Sequence, residues 1–154
     1  MLSKCLAFPE YQAEAQAHLA QCYREQGLFG QAIDMYDQAM SHAPSHEVAF
    51  ELGALLAQMQ NYDKALMQFT SCIELGKQNL LTLDPAKLAE YYMHRAAVYE
   101  ALGLLEHSKR DLNHIIEADP NFIQRYHSQA LQLEELGQAV EASRIREFIQ
   151  KLLC

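Results

Sequence analysis

The 154-residue sequence predicts an all-α fold, a stack of antiparallel helix hairpins, on three observations. Ala, Leu, Gln and Glu recur throughout, residues that lose little side-chain freedom in a helix, and only six Gly and four Pro interrupt them. β-branched residues nowhere alternate with polar ones over a strand's length, so no sheet is indicated. A pattern of apolar and small residues repeats along the chain, with Gly or Pro at its joints.

The first unit sets that pattern with Leu19, Ala20, Tyr23, Gly27, Phe29, Ala32, Tyr36, Ala39 and Pro44. A step of 33 residues lands on Leu52, Gly53, Leu56, Gln60, Tyr62, Ala65, Phe69, Cys72 and Lys77, and seven of these nine positions keep their size class. A further step of 43 reaches Arg95, Ala96, Tyr99, Gly103, Leu105, Ser108, Leu112, Ile115 and Pro120. A step of 34 then reaches Gln129, Ala130, Leu133, Gly137, Ala139, Ala142, Arg146 and Ile149, the weakest copy.

Each unit reads as an amphipathic helix, a tight turn and a second amphipathic helix. Gly27, Gly103 and Gly137 suit the turn because glycine takes positive φ at no steric cost; Pro44 and Pro120 stop the second helix because proline has no amide to continue it. Ala20 or Gly53 on the first helix and Ala32 or Ala65 on the second allow close backbone approach, with Tyr23, Tyr36, Phe69 and Tyr99 filling the space beside them. The predicted units cover about 13–45, 46–78, 85–122 and 123–152. Between the second and third, Gly76 to Leu83 reads as an inserted linker ending in Asp84-Pro85, a helix start with Asp as N-cap and Pro in the first turn. In the fourth unit Arg146 stands where an aromatic is expected, so the helix from about Gln138 to Leu152 is expected to be a solvating cap. Residues 1–11 read either as the remnant of a preceding repeat or as an extension covering the first hairpin.

These residues resemble the tetratricopeptide repeat (TPR), a 34-residue helix-turn-helix carrying Leu-Gly-x-x-Tyr, then Ala-x-x-x-Phe, then Pro. The first copy is Leu19-Ala20-x-x-Tyr23, Ala32-x-x-x-Tyr36 and Pro44; the second is Leu52-Gly53-x-x-Leu56 and Ala65-x-x-x-Phe69. The third is Ala96-x-x-Tyr99, Ser108-x-x-x-Leu112 and Asp119-Pro120, and the resemblance spans about residues 12–152. It implies a right-handed superhelical solenoid whose first helices line a concave groove for peptides or protein segments. By that resemblance the groove is lined by Glu14, Ala17, Gln21 and Arg24, then by Phe50, Glu51, Ala54 and Ala57. Glu90, Met93, His94, Ala97 and Glu100 follow, and His127, Leu131 and Glu134 complete it.

Phe50, Met93 and Leu131 are the expected apolar anchors, and Glu51, Glu90, Glu100 and Glu134 surround them with negative charge. The expected ligand is a protein or peptide segment with apolar side chains flanked by Lys or Arg, because opposite charge speeds encounter and disfavours acidic competitors. The competing reading makes the glutamates an ordinary solvated helix face and packs Phe50 and Met93 against neighbouring helices. Co-chaperone TPR domains grip chaperone C-terminal carboxylates with Lys, Asn, Asn, Lys and Arg. The matching places here hold Ala17, Gln21, Glu51, Glu90 and His94 in one frame, and Phe50, Ala54, His94, Gln124 and Ser128 in the other. Neither frame is a cationic clamp, and an acidic tail would meet repulsion.

Twenty acidic against twelve basic residues give a net charge of −8, which disfavours nucleic acid and anionic lipid surfaces. Apolar runs are far shorter than a membrane span requires, and Met1 to Phe8 lacks a secretory-signal pattern, so a cytoplasmic location is expected. Cys5, Cys22, Cys72 and Cys154 form no Cys-x-x-Cys pair and read as reduced, with Cys22 and Cys72 at helix packing positions as inert core thiols. His42 and His46 straddle Pro44 and so share no helical face, while His94 and His114 sit on different helices; no metal, cofactor or catalytic motif is indicated. The leading functional expectation is a non-enzymatic adaptor or scaffold. The alternatives are a dedicated client chaperone of the bacterial secretion type and an assembly factor that self-associates through Met1 to Phe8 or Phe148 to Cys154.

Overall fold

The computed structural model describes residues 9–79 and 81–153. Among them there are eight helices and no strand: α1 (Pro9–Glu25), α2 (Phe29–His42), α3 (His46–Gln58), α4 (Tyr62–Gln78), α5 (Pro85–Ala101), α6 (Leu105–Ala118), α7 (Phe122–Glu135) and α8 (Ala139–Leu153). They pair as α1 with α2, α3 with α4, α5 with α6 and α7 with α8, and successive hairpins meet through α2 and α3, α4 and α5, and α6 and α7.

All four hairpin turns use one hydrogen-bond arrangement. In the first, the Gly27 amide donates to the Arg24 carbonyl at 3.0 Å and the Leu28 amide to the Tyr23 carbonyl at 2.9 Å. Ala57 and Leu56, Glu100 and Tyr99, and Glu134 and Leu133 supply the equivalent carbonyls in the other three. This doubly bonded ending satisfies carbonyls that the helix leaves free, and it requires one residue in the left-handed region. Gly27, Gly103 and Gly137 hold φ of 79°, 76° and 78° there, and the second hairpin puts Gln60 in the same place at 62°.

Hairpin junctions follow the proline and aspartate signals. The α2 helix ends at His42, two residues before Pro44, and Asp119 closes α6 beside Pro120. Asp119 also starts α7: one carboxylate oxygen accepts the Asn121 amide at 3.2 Å and the other pairs with Arg125 at 2.5 Å. Asp84 caps α5 by accepting the Ala86 amide at 3.0 Å, with Pro85 at the first helical position.

Three expectations change. The α4 helix runs through Gly76 to Gln78, so the linker begins later than Gly76; it folds back until a Cβ on Gly76 would lie 3.0 Å from Leu83 Cδ2. The α1 helix begins at Pro9, ahead of the boundary at residue 12, while residues 1–8 with the remainder of the expected extension lie outside the described residues. Cys22 is exposed on α1 and is not a core thiol, because the inward face of that helix is taken by Ala13 and Ala20; Cys72 alone of this pair is buried.

The core has two clusters. One gathers Ala20, Ala32, Tyr36, Leu52, Leu55, Ala65, Phe69 and Val98 between the first three hairpins. The other gathers Cys72, Ile73, Tyr91, Tyr92, Leu112, Ile115 and Phe122 between the last three. The final helix, α8, buries Ala142 and Ile149, pairs Arg146 with Glu134, and returns to α5 through Lys151, whose ammonium lies 3.6 Å from Glu100. No helix is long and apolar enough to cross a membrane among the described residues.

Candidate functional site

The first helices of the hairpins bring part of the expected groove residues together in two groups. At the α1–α3 end, the Gln21 side-chain amide donates to both Glu51 carboxylate oxygens, at 3.0 and 3.2 Å, and Arg24 and Phe29 line the same open cleft of about 580 Å³. A second cleft of about 430 Å³ runs from Glu14 and Ala17 to Glu47 and Glu51. Glutamates 14, 47 and 51 make this end of the trough acidic, with His18 and Arg24 as its basic members.

At the centre, Phe50 is half-buried in an aromatic group. Its ring meets His94 edge-on at 4.8 Å, Tyr91 at 5.2 Å and Phe69 at 6.0 Å. His94 Nδ1 lies 2.9 Å from the Glu90 carbonyl oxygen, which only accepts, so that nitrogen carries the hydrogen. Met93, half-buried, takes a weak hydrogen bond from the Tyr126 hydroxyl at 3.8 Å, which ties α5 to α7. Burial, and then the charge of Glu90, raise the Tyr126 pKa. Ala54 packs on the core, whereas Ala97 is exposed one turn beyond Met93.

The remaining residues do not join these two groups. Glu100 accepts from Ser108 at 3.4 Å and faces Lys151, so it belongs with α6 and α8, beside a cleft of about 780 Å³ floored by Leu105, Leu112 and Leu152. Glu134 is held by Arg146, whose hydrogen bond lowers the Glu134 pKa. His127 and Leu131 are exposed on α7, with Leu131 56% accessible.

Sequence reasoning missed the buried polar contacts between helices. Arg95 of α5 binds Asp111 of α6 with two hydrogen bonds, at 2.7 and 2.8 Å, and its guanidinium lies 5.7 Å over both Tyr92 and Tyr99. A signal existed: Arg95 stands where Leu19 and Leu52 stand in earlier units. His46 Nδ1 lies 2.8 Å from the Tyr91 hydroxyl, and the Cys72 thiol donates to the His46 carbonyl at 3.1 Å. Burial pushes the Cys72 pKa up to about 12, and the thiol packs in the core. No group of three or more His, Cys, Asp or Glu is placed to hold a metal ion among the described residues.

Comparison with known proteins gives a fold and a family. The chain is similar to a crystal structure of MamA, at 23% identity and a TM-score of 0.63, covering 98% of this chain and 81% of that one. It is similar to the N-terminal domain of stress-induced protein-1 (STI-1) from C. elegans, at 16% identity and a TM-score of 0.66 over 73% of this chain and 90% of that one. It is also similar to the first TPR domain of Spaghetti (RPAP3), solved with the HSP90 peptide SRMEEVD, at 20% identity and a TM-score of 0.63 over 94% and 96%. At these identities the likeness is one of fold, the right-handed TPR solenoid. No curated protein matches the chain. The model of one family, soluble NSF attachment protein (SNAP), matches residues 9–153, and with that match over nearly its whole length the chain belongs to the SNAP family of TPR-like helical proteins.

Proposed function

We propose that this chain is a non-enzymatic protein-interaction module, an adaptor or scaffold that holds an extended protein segment in the trough along α1, α3, α5 and α7. The observation that carries the reading is the cleft between α1 and α3, where Gln21, Arg24 and Glu51 meet in the open, continued along α5 by Glu90, Met93 and the exposed Ala97. The RPAP3 domain of the same fold holds a peptide, and the SNAP family is named for attachment to a protein, which agrees with a macromolecular partner.

The partner segment is apolar with Lys or Arg at its flanks. Glutamates 14, 47, 51 and 90 favour such flanks and disfavour an acidic tail of the SRMEEVD kind, for which the expected groove positions offer no Lys or Arg clamp among the described residues. Affinity capture with wild type against a Gln21→Arg, Ala97→Arg variant tests the reading, because both residues are exposed and neither belongs to the core. Loss of the captured partners by the variant is the expected result; the same partners at the same yield would remove the trough from consideration.

Self-association is a second reading, favoured by apolar exposure at the end of the stack, where Leu136 is 74%, Val140 63% and Leu153 67% accessible. A monomer mass by light scattering that does not change with concentration rules it out.

A further inference from the structure

One helix face recurs in all four hairpins. On α3 it carries Val48, Leu52 and Leu55, and the two leucines are 0% exposed in the cluster that α3 shares with α2. The steps that align the units take these positions to Tyr91, Arg95 and Val98 on α5, where Tyr91 and Val98 are buried and Arg95 reaches Thr70 of α4 at 3.5 Å. On α7 they fall on Arg125, Gln129 and Gln132, all exposed, so where this face is left to water its residues are polar. On α1 they fall on Ala15, Leu19 and Cys22. No hairpin precedes α1 among the described residues, and Leu19 is 43% exposed with Cys22 exposed beside it. The first helix thus keeps the composition of a covered face and lacks the cover that α2 gives α3 and α4 gives α5.

The order of sizes along this face selects the occupant. Tyr11, 54% exposed, extends the stripe towards the start of α1, so positions 11, 15, 19 and 22 run large, small, large, small. Read in the opposite direction they run small, large, small, large. We propose that α1 is a docking surface for a second copy of this chain, with the two α1 helices antiparallel about a dyad between Ala15 and Leu19. Tyr11 then lies against Cys22 of the second copy and Ala15 against its Leu19, each large side chain over a small one, as ridges seat in grooves. A twofold contact of this kind uses one patch on both copies. The net charge of −8 opposes self-contact over much of the surface. In this register Glu14 comes alongside His18 of the second copy, and neither Glu14 nor Glu25 meets another glutamate. Gln21 and Arg24 sit on a different face of α1, so the trough stays open in the dimer. One helix face is a small interface, and the dimer dissociates on dilution. The inference is independent of the trough reading and uses the opposite end of the stack from Leu136 and Val140.

The test is sedimentation of the full chain in reductant across a concentration series. Wild type is expected to rise from the mass of one chain towards that of two. Leu19→Arg, an exposed position outside the core, should stay at one chain with an unchanged melting temperature. The register is read by mild oxidation in a Cys5→Ser, Cys154→Ser background. Tyr11→Cys should form a covalent dimer through Cys22, whereas Cys22 alone should not, because the two copies of it stand about 16 Å apart along the helices. The mass of one chain at every concentration overturns the proposal and leaves the face to some other occupant. Association that survives Leu19→Arg but is lost in Leu136→Arg, Val140→Arg also overturns it and assigns self-contact to the other end. Cys22 alone crosslinking as fully as the Tyr11→Cys variant overturns the antiparallel register.

Discussion

Arg95 and Asp111 face each other across α5 and α6 in a two-pronged pair, Nε to Oδ2 at 2.8 Å and Nη2 to Oδ1 at 2.7 Å, with side chains only 16% and 3% exposed. Burial acts to lower the Arg95 pKa, but the hydrogen bonds and charge of Asp111 outweigh it, and the net direction is upward. Tyr92 and Tyr99 present their ring faces to the same guanidinium, which lessens its loss of hydration. Removing one partner leaves the other charge buried and alone. Arg95→Ala or Asp111→Ala is therefore expected to cost about 3–5 kcal/mol in urea unfolding, and Arg95→Met with Asp111→Leu to regain most of that loss. Single variants within about 1 kcal/mol of wild type would mean that the pair is solvated in solution.

Gln60 occupies the left-handed turn position that glycine holds in the other three hairpins. A side chain there strains the backbone by roughly 1 kcal/mol. Gln60→Gly should raise stability by about 0.5–1 kcal/mol, despite the greater freedom of glycine in the unfolded chain. A lower melting temperature would show that the Gln60 side chain contributes more than the backbone strain costs.

Gly53 allows α3 and α4 to approach closely. A Cβ on it would lie 2.9–3.1 Å from three ring carbons of Phe69, a side chain buried among its neighbours at 1% exposure. Gly53→Ala gains helix propensity on α3 but forces that ring to move, so a net loss of about 1–3 kcal/mol is expected from thermal unfolding. Gly53→Ala combined with Phe69→Leu should recover part of it; no recovery would mean that the clash lies elsewhere.

The buried hydroxyl and thiol set a limit at alkaline pH. Tyr36 and Cys72 are both pushed up to about 12 by burial, from ordinary values of 10.0 and 9.0, and Tyr91 moves in the same direction for the same first cause. The unfolded chain loses these protons at the ordinary values while the folded chain keeps them. The unfolded state thus binds fewer protons, and stability should fall as pH rises from about 9 towards 12, with no contribution from these groups below pH 8. Urea midpoints across that range measure the slope, and Tyr36→Phe should flatten it.

Thiol chemistry separates the two described cysteines. With an aromatic disulfide reagent at neutral pH, Cys22→Ser should remove one fast-reacting thiol and Cys72→Ser none, because Cys22 is exposed and Cys72 is enclosed by α3, α4 and α5. Equal reactivity would place Cys72 at a surface.

Amino-acid order determined the hairpins, their number and their turns. Periodicity, N-cap aspartate, proline and turn glycine act over a few neighbouring residues, and Asp84, Pro85, Gly27, Gly103 and Gly137 all do locally what their chemistry dictates. Only the tertiary structure decided which polar groups meet. Gln21 bonds Glu51 across 30 positions, Arg95 bonds Asp111 across 16, and His46 meets the Tyr91 hydroxyl across 45. Those outcomes rest on the angle and depth at which one helix seats on the next. Packing of whole side-chain layers sets both, and no short stretch of sequence encodes them.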